Sequence, residues 1–173
     1  VISTPAFLAQ NLNIQNDVNA DSNTDLIDTD SLTIDADRTF ELNAGANDTL
    51  DVAHTISGNG TLILNNNTLV LGGDTDIQDI DASQATVIFG VRPGPDQDPS
   101  NPNLSQQLIS NLDQMKNAVI NNNYGVKTTE DVIIDGNLTL ENGELIISSG
   151  KSLIAPNQSY TTNGSVKLLR SIN

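Results

Sequence analysis

Cysteine and tryptophan are absent from this chain of 173 residues, and histidine and methionine occur once each. Without thiols there is no disulfide framework, thiol redox motif or thiolate metal site. With one histidine, His54, and no cysteine, neither a convincing zinc site nor a nucleophilic triad can be assembled, and His54 is expected at the rim of a strand. Aromatic residues make up 3% of the chain, two Tyr and three Phe. Small-molecule pockets usually recruit aromatics around a few convergent polar groups, so no enzyme is expected. Positive charge is equally scarce. Seven Lys and Arg stand against 22 Asp and Glu, a formal net charge of −15. A phosphate backbone needs a basic stripe to neutralise it, which excludes nucleic acid and, by the same reasoning, an anionic lipid surface. No apolar run approaches the roughly 18 residues that span a bilayer as a helix, and no membrane insertion is expected.

The chain is rich instead in short oxygen-bearing side chains. Asp outnumbers Glu 18 to 4, and 23 Asn accompany them. Such residues serve both turn chemistry and oxygen-rich loops for a hard cation. Asp17, Asn19, Asp21, Asn23 and Asp25, with Asp28 three further on, fall at positions 1, 3, 5, 7, 9 and 12 of a calcium loop of EF-hand type. Ser22 occupies the glycine position and Thr24 the aliphatic one, so a solvated acidic loop competes with calcium there. A second acidic group, Asp74, Asp76, Asp79 and Asp81, follows Gly72 and Gly73. It reads either as a calcium site or as a charged edge that discourages strand pairing. Ca2+ is thus the candidate cofactor.

Residues 1–16 read as an apolar N-terminal arm, and 17–173 as a single β domain. The start lacks Met, as expected of a processed chain or a fragment. Residues 17–30 read as an acidic loop. From 31 to 90 short Leu-rich or β-branched runs, such as 39–42, 49–52 and 68–71, alternate with Asn, Gly and Asp, which is β punctuation. Residues 92–103 hold four of the six prolines and predict an extended connection. After it, Leu104, Leu108, Leu112, Met115, Val119 and Ile120 recur at helical spacing, which predicts an amphipathic helix over about 104–122, capped by Asn103. Strand signals return at 131. Val132 and Ile134, Leu138 and Leu140, and Leu145 and Ile147 are expected to face one interior by period two, and 166–172 to add an edge strand. The Asp-Gly, Asn-Gly and Ser-Gly pairs between these runs fit either hairpin turns or the corners of a solenoid. The fold class is therefore all-β, a short-strand β-solenoid or β-sandwich with one helix. Seven Asn-x-Ser/Thr sequons, at Asn47, Asn59, Asn66, Asn103, Asn137, Asn157 and Asn163, mark possible glycosylation only where the source has that machinery.

Two stretches resemble a known family. In 32–73, an Ala-Gly-Ala run leading to Thr49-Leu50-Asp51-Val52 is followed by Ile56-Ser57-Gly58-Asn59-Gly60-Thr61-Leu62-Ile63-Leu64. In 132–153, Asp135-Gly136-Asn137-Leu138-Thr139-Leu140 precedes a second Asn-Gly corner. Both are similar to the passenger repeats of bacterial autotransporter-type adhesins, and the second also to viral tail fibres. The resemblance implies a β-solenoid and an extracellular or cell-surface location.

The function expected is a non-catalytic structural or adhesive protein that self-associates as a homo-oligomer or polymer. Val1, Ile2, Phe7, Leu8, Leu12 and Ile14 would pair with a neighbouring subunit by strand addition, unless the arm folds back on its own sheet. Heterologous addition of this kind propagates a filament, and calcium would tune it. A host or cell-surface glycan is a candidate ligand. The alternatives are a phage or virion fibre module and, on the acid pairs Asp35/Asp37 and Asp79/Asp81, a carbohydrate-active β-helix enzyme.

Overall fold

A computed structural model describes residues 1–2, 6–20, 25–43, 48–90 and 107–168. They coil as a parallel β-solenoid of about six turns. The strands are β1 (Ala6–Ile14), β2 (Val18–Ala20), β3 (Leu26–Ile34), β4 (Thr39–Leu42), β5 (Thr49–Ile63), β6 (Thr68–Leu71) and β7 (Thr75–Gly90), then β8 (Gln107–Ile109), β9 (Gln114–Asn121), β10 (Val126–Thr128), β11 (Val132–Ile134), β12 (Asn137–Ile147), β13 (Leu153–Ile154) and β14 (Asn157–Leu168). Every recorded strand pairing is parallel, so the Asp-Gly and Asn-Gly pairs are corners of a coil and not hairpin turns.

Three stacks of strands form three faces. On the first face Ile27, Leu50, Leu69, Val87, Ala118 and Leu138 lie in register, one per turn, and all are buried. Two residues on along each strand, Thr29, Val52, Leu71, Phe89, Ile120 and Leu140 make a second interior row. On the second face Leu12, Leu32 and Ile56 are in register, and on the third Val18, Phe40, Leu62 and Ile80. The cause is the period of two. Strand side chains alternate sides, and the sequence puts Leu, Ile or Val at alternate positions, so each turn contributes inward rows to one continuous core. Each such side chain taken from water stabilises the coil by about 1.5–3 kcal/mol. The expected inward set over 132–147 is observed: all six residues are at most 4% exposed.

The step between stacked residues is irregular. It is 20 residues from Leu12 to Leu32, 24 from Leu32 to Ile56, 19 from Leu50 to Leu69 and 18 from Leu69 to Val87. It rises to 31 from Val87 to Ala118, across residues 91–106, and returns to 20 at Leu138. The Pro-rich stretch 92–103, with Leu104, lies outside the described residues.

Two expectations are corrected. The helix over 104–122 is not found: among the described residues there is no helix, and 107–109 and 114–121 are strands. Leu108, placed by helical spacing on an apolar face, is exposed, while Gln107 and Ile109 on either side are buried. Period two holds from Ala118 onward as well, since Ala118 and Ile120 point inward and Val119 between them does not. A segment rich in Asn, Val and Ile has little intrinsic helix preference, and the ladder partners Thr86–Gly90 and Leu138–Leu140 on its two sides decide its state. The second correction concerns 17–30. Val18–Ala20 and Leu26–Asp30 are strand, because Ile27 and Thr29 turn inward while Asp28 and Asp30 take the outward positions between them. Acidity here marks the solvent side of a strand.

Candidate functional site

The first turn of the coil carries the residues with the clearest capacity for an outside contact. β1 pairs with β3 from Ala6↔Leu26 to Ile14↔Ile34, so the arm is laid along its own sheet as the first strand of the stack. Phe7 and Leu12 pack against the core and Ile14 is within it. Ile2 forms a parallel bridge to Ala20, its N–H donating to the Asn19 carbonyl at 3.0 Å. Leu8 and Val1 are the apolar side chains left outside, 70% and 88% exposed. Among the described residues, no strand pairs with β1 on the side away from β3. A strand edge presents a row of N–H and C=O groups to any incoming strand. Edges are commonly blunted by Lys, Pro or inward charge, and residues 6–14 contain none of these.

The acidic candidates are distributed over different faces. Asp17 stands at the corner after β1, where its Oδ1 accepts from the Thr39 N–H at 3.0 Å. Asn19 on the third face donates through Nδ2 to Glu41 Oε2 at 3.2 Å. Asp25 and Asp28 belong to the first face, where Asp28 is in register with Leu8 and Asp51. Asp21 and Asn23 lie outside the described residues. In the second group, Asp74 Oδ1 accepts from the Leu108 N–H at 2.8 Å and Asp76 is opposite Ser57 on the second face, while Asp79 and Asp81 flank buried Ile80 on the third. Asp81 Oδ1 accepts from the N–H and Oγ–H of Ser83 at 3.1 and 2.8 Å. Among the described residues, no group of three or more His, Asp or Glu is gathered as a cation would require. The other acid pair, Asp35 and Asp37, is exposed on the turn before β4.

Electrostatics mark Asp79. Burial raises its pKa above the ordinary 3.8, and repulsion from Asp81 and Asp113 adds to the rise. An acid with a raised folded pKa binds more protons folded than unfolded, so its contribution to stability falls as pH rises from the unfolded value through the folded one. Asp79→Asn is therefore expected to stabilise the chain at pH 7 relative to pH 3, read as the shift in urea midpoint at each pH. An unchanged difference between the two pH values contradicts this. Asp131 has the opposite shift: hydrogen bonds from the Ser152 hydroxyl and N–H hold its carboxyl below the usual range.

Sequence reasoning missed a buried amide ladder at the corner between the first two faces. Gln107 Nε2 donates to the Leu71 and Gly73 carbonyls at 2.7 and 3.1 Å, and its Oε1 accepts from Asn122 Nδ2 at 3.0 Å. Asn122 Oδ1 in turn accepts from the Tyr124 N–H at 2.9 Å. Asn67 acts similarly one corner over, donating to the Asn43 and Leu64 carbonyls and accepting from the Asp48 N–H. Buried polar groups need such partners, and the ladder ties the turn before residues 91–106 to the two after it. Its signal was the triplets Asn65-Asn66-Asn67 and Asn121-Asn122-Asn123, each directly after an apolar strand. Among the described residues, a cavity of about 10 Å³ beside Phe89, Met115 and Ile134 has room for at most one water.

The comparisons leave the fold to stand by itself. No protein-family model, curated protein or solved structure matches this chain.

Proposed function

We propose that this chain is a non-catalytic extracellular structural or adhesive protein of the β-solenoid type, and that it self-associates into filaments by strand addition at β1. One observation carries the reading: a nine-residue edge strand with no charge and no proline, unpaired on one side among the described residues, with Leu8, its third residue, exposed. Main-chain hydrogen bonds along such an edge give affinity without a pocket, which fits a chain poor in aromatics. Calcium enters through the net charge of −15. The repulsion between copies that this charge creates is what a divalent cation relieves.

Light scattering on the native chain and on Leu8→Lys, each in chelator and in millimolar calcium, tests the reading. The native chain is expected to grow into polymers, more so with calcium, while Leu8→Lys stays near the 18.4 kDa of one chain. A native monomer in both solutions contradicts self-association. Equal growth of native and variant contradicts assembly through β1.

A further inference from the structure

Asn-Gly pairs occur at 59–60, 142–143 and 163–164. In such a pair the peptide nitrogen that follows the asparagine is the least hindered, because glycine has no Cβ and turns freely. We infer that the fold selects Asn59 as a site of spontaneous modification, its side-chain amide passing through a cyclic imide to aspartate and isoaspartate, while Asn142 is held back. In the first step the Gly60 nitrogen bonds to Asn59 Cγ, the bond from Cγ to Nδ2 breaks, and the proton of the Gly60 nitrogen leaves with Nδ2 as ammonia. Water then opens the five-membered ring at one of its two carbonyls, leaving the chain linked either through the ordinary carbonyl or through the side-chain one.

Register separates the two sites. In β5, Gly58 is in register with Ile77 and Thr61 with Asp79, so Asn59 and Gly60 bulge opposite Gln78 alone. On the other side Ile34 pairs with Gly58 and Thr39 with Thr61, and the two residues between meet the turn 35–38 and not a strand. Ring closure must swing the peptide between asparagine and glycine, and a bulge interrupts the ladder that would resist it. Asn59 is also exposed. Asn142 and Gly143 are in register with Asn163 and Gly164 of β14, and Asn142 with Asn121 of β9. The Asn142 carbonyl accepts from the Asn122 N–H at 3.2 Å, and its Nδ2, the atom that must leave, donates to Asn121 Oδ1 at 2.7 Å. Reaction there waits on local opening of these contacts.

The fold also requires the residue that makes Asn59 reactive. Gly60 is buried, and a Cβ on it would run into Ile34 Cγ2 and the carbonyl oxygens of Asp35 and Arg38. Conversion makes the net charge of −15 one unit more negative, on a corner next to the exposed Asp35 and Asp37. An isoaspartyl link adds an atom to the main chain at that corner.

Peptide mapping by mass spectrometry tests this on the native chain held in warm, mildly alkaline buffer, folded and in urea. In the folded chain the Asn59 peptide is expected to convert about tenfold faster than the Asn142 peptide, and in urea, where neither is laddered, the two rates are expected to converge. The converted Asn59 peptide should elute as two peaks of equal mass, aspartate and isoaspartate. Asn59→Gln, at an exposed position, is expected to fold normally and to remove conversion there, since the longer side chain disfavours the five-membered ring. Equal rates at 59 and 142 in the folded chain, or an Asn59 that converts only in urea, would overturn the selection. Aspartate alone at 59 would overturn the cyclic route.

Discussion

Phe40→Ala is expected to destabilise the coil by about 3–5 kcal/mol, the usual range for truncating a buried aromatic ring. Phe40 is fully buried and heads the largest side chains of the interior. It stacks on the third face between Val18 of the turn before and Leu62 of the turn after. With two Tyr and three Phe in the whole chain, few rings are on hand to fill the space. A solenoid turn contacts only its neighbours, so the loss is expected to be local. Hydrogen exchange should show deprotection concentrated in β2 to β5, with β12 little changed. Uniform deprotection of all turns would contradict this nearest-neighbour picture.

The second large effect comes from a matched pair of glycines. Gly143 and Gly150 have almost the same backbone conformation, φ +81° and +79°, so the cost of placing a side chain in the left-handed region, about 1–2 kcal/mol, is common to both. Their surroundings differ. A Cβ on Gly150 meets nothing within 4 Å, whereas one on Gly143 would come 1.8 Å from the Asn122 carbonyl oxygen. Asn122 cannot give way easily, because its side chain is held in the buried ladder with Gln107. Gly150→Ala is therefore expected to cost only the conformational term, and Gly143→Ala about 3 kcal/mol or more, read from urea midpoints with equal slopes. Equal losses in the two variants would mean that the corner at 143 is not a close backbone approach.

Much of the coil was legible because local pattern and global role agree. The runs Thr39–Leu42, Thr68–Leu71 and Val132–Ile134 are strands with the bounds or the inward residues their alternation announces. Helical spacing at 108–120 misled for a definite reason: in a segment with Leu, Met, Val and Ile every three or four residues, period two and period 3.6 share members. What separates them is the ladder, since Ala118 is held between Val87 and Leu138, partners more than 19 residues away in sequence. The acidic stretch 17–30 misled in the opposite sense, because Asp28 and Asp30 count as turn residues only when their inward neighbours Ile27 and Thr29 are overlooked. Thr29 reaches the interior by donating its hydroxyl to the Gln10 and Ser31 carbonyls. The candidate site was half legible. The apolar arm was visible in sequence, but only the pairing with β3 divides it into Phe7, Leu12 and Ile14, which serve the core, and Leu8, which remains outside.

The claim on which the rest stands is a parallel stack that keeps one line of residues through every turn, including the step across 91–106. Spin labels on Thr49→Cys and Asn137→Cys read it directly, because the chain has no other thiol. These positions stand four steps apart on one face, through Thr68, Thr86 and Asn117. The stack predicts a single narrow distance corresponding to about 19 Å between backbones, four strand spacings. A broad distribution, or a separation near twice that value, would contradict the solenoid.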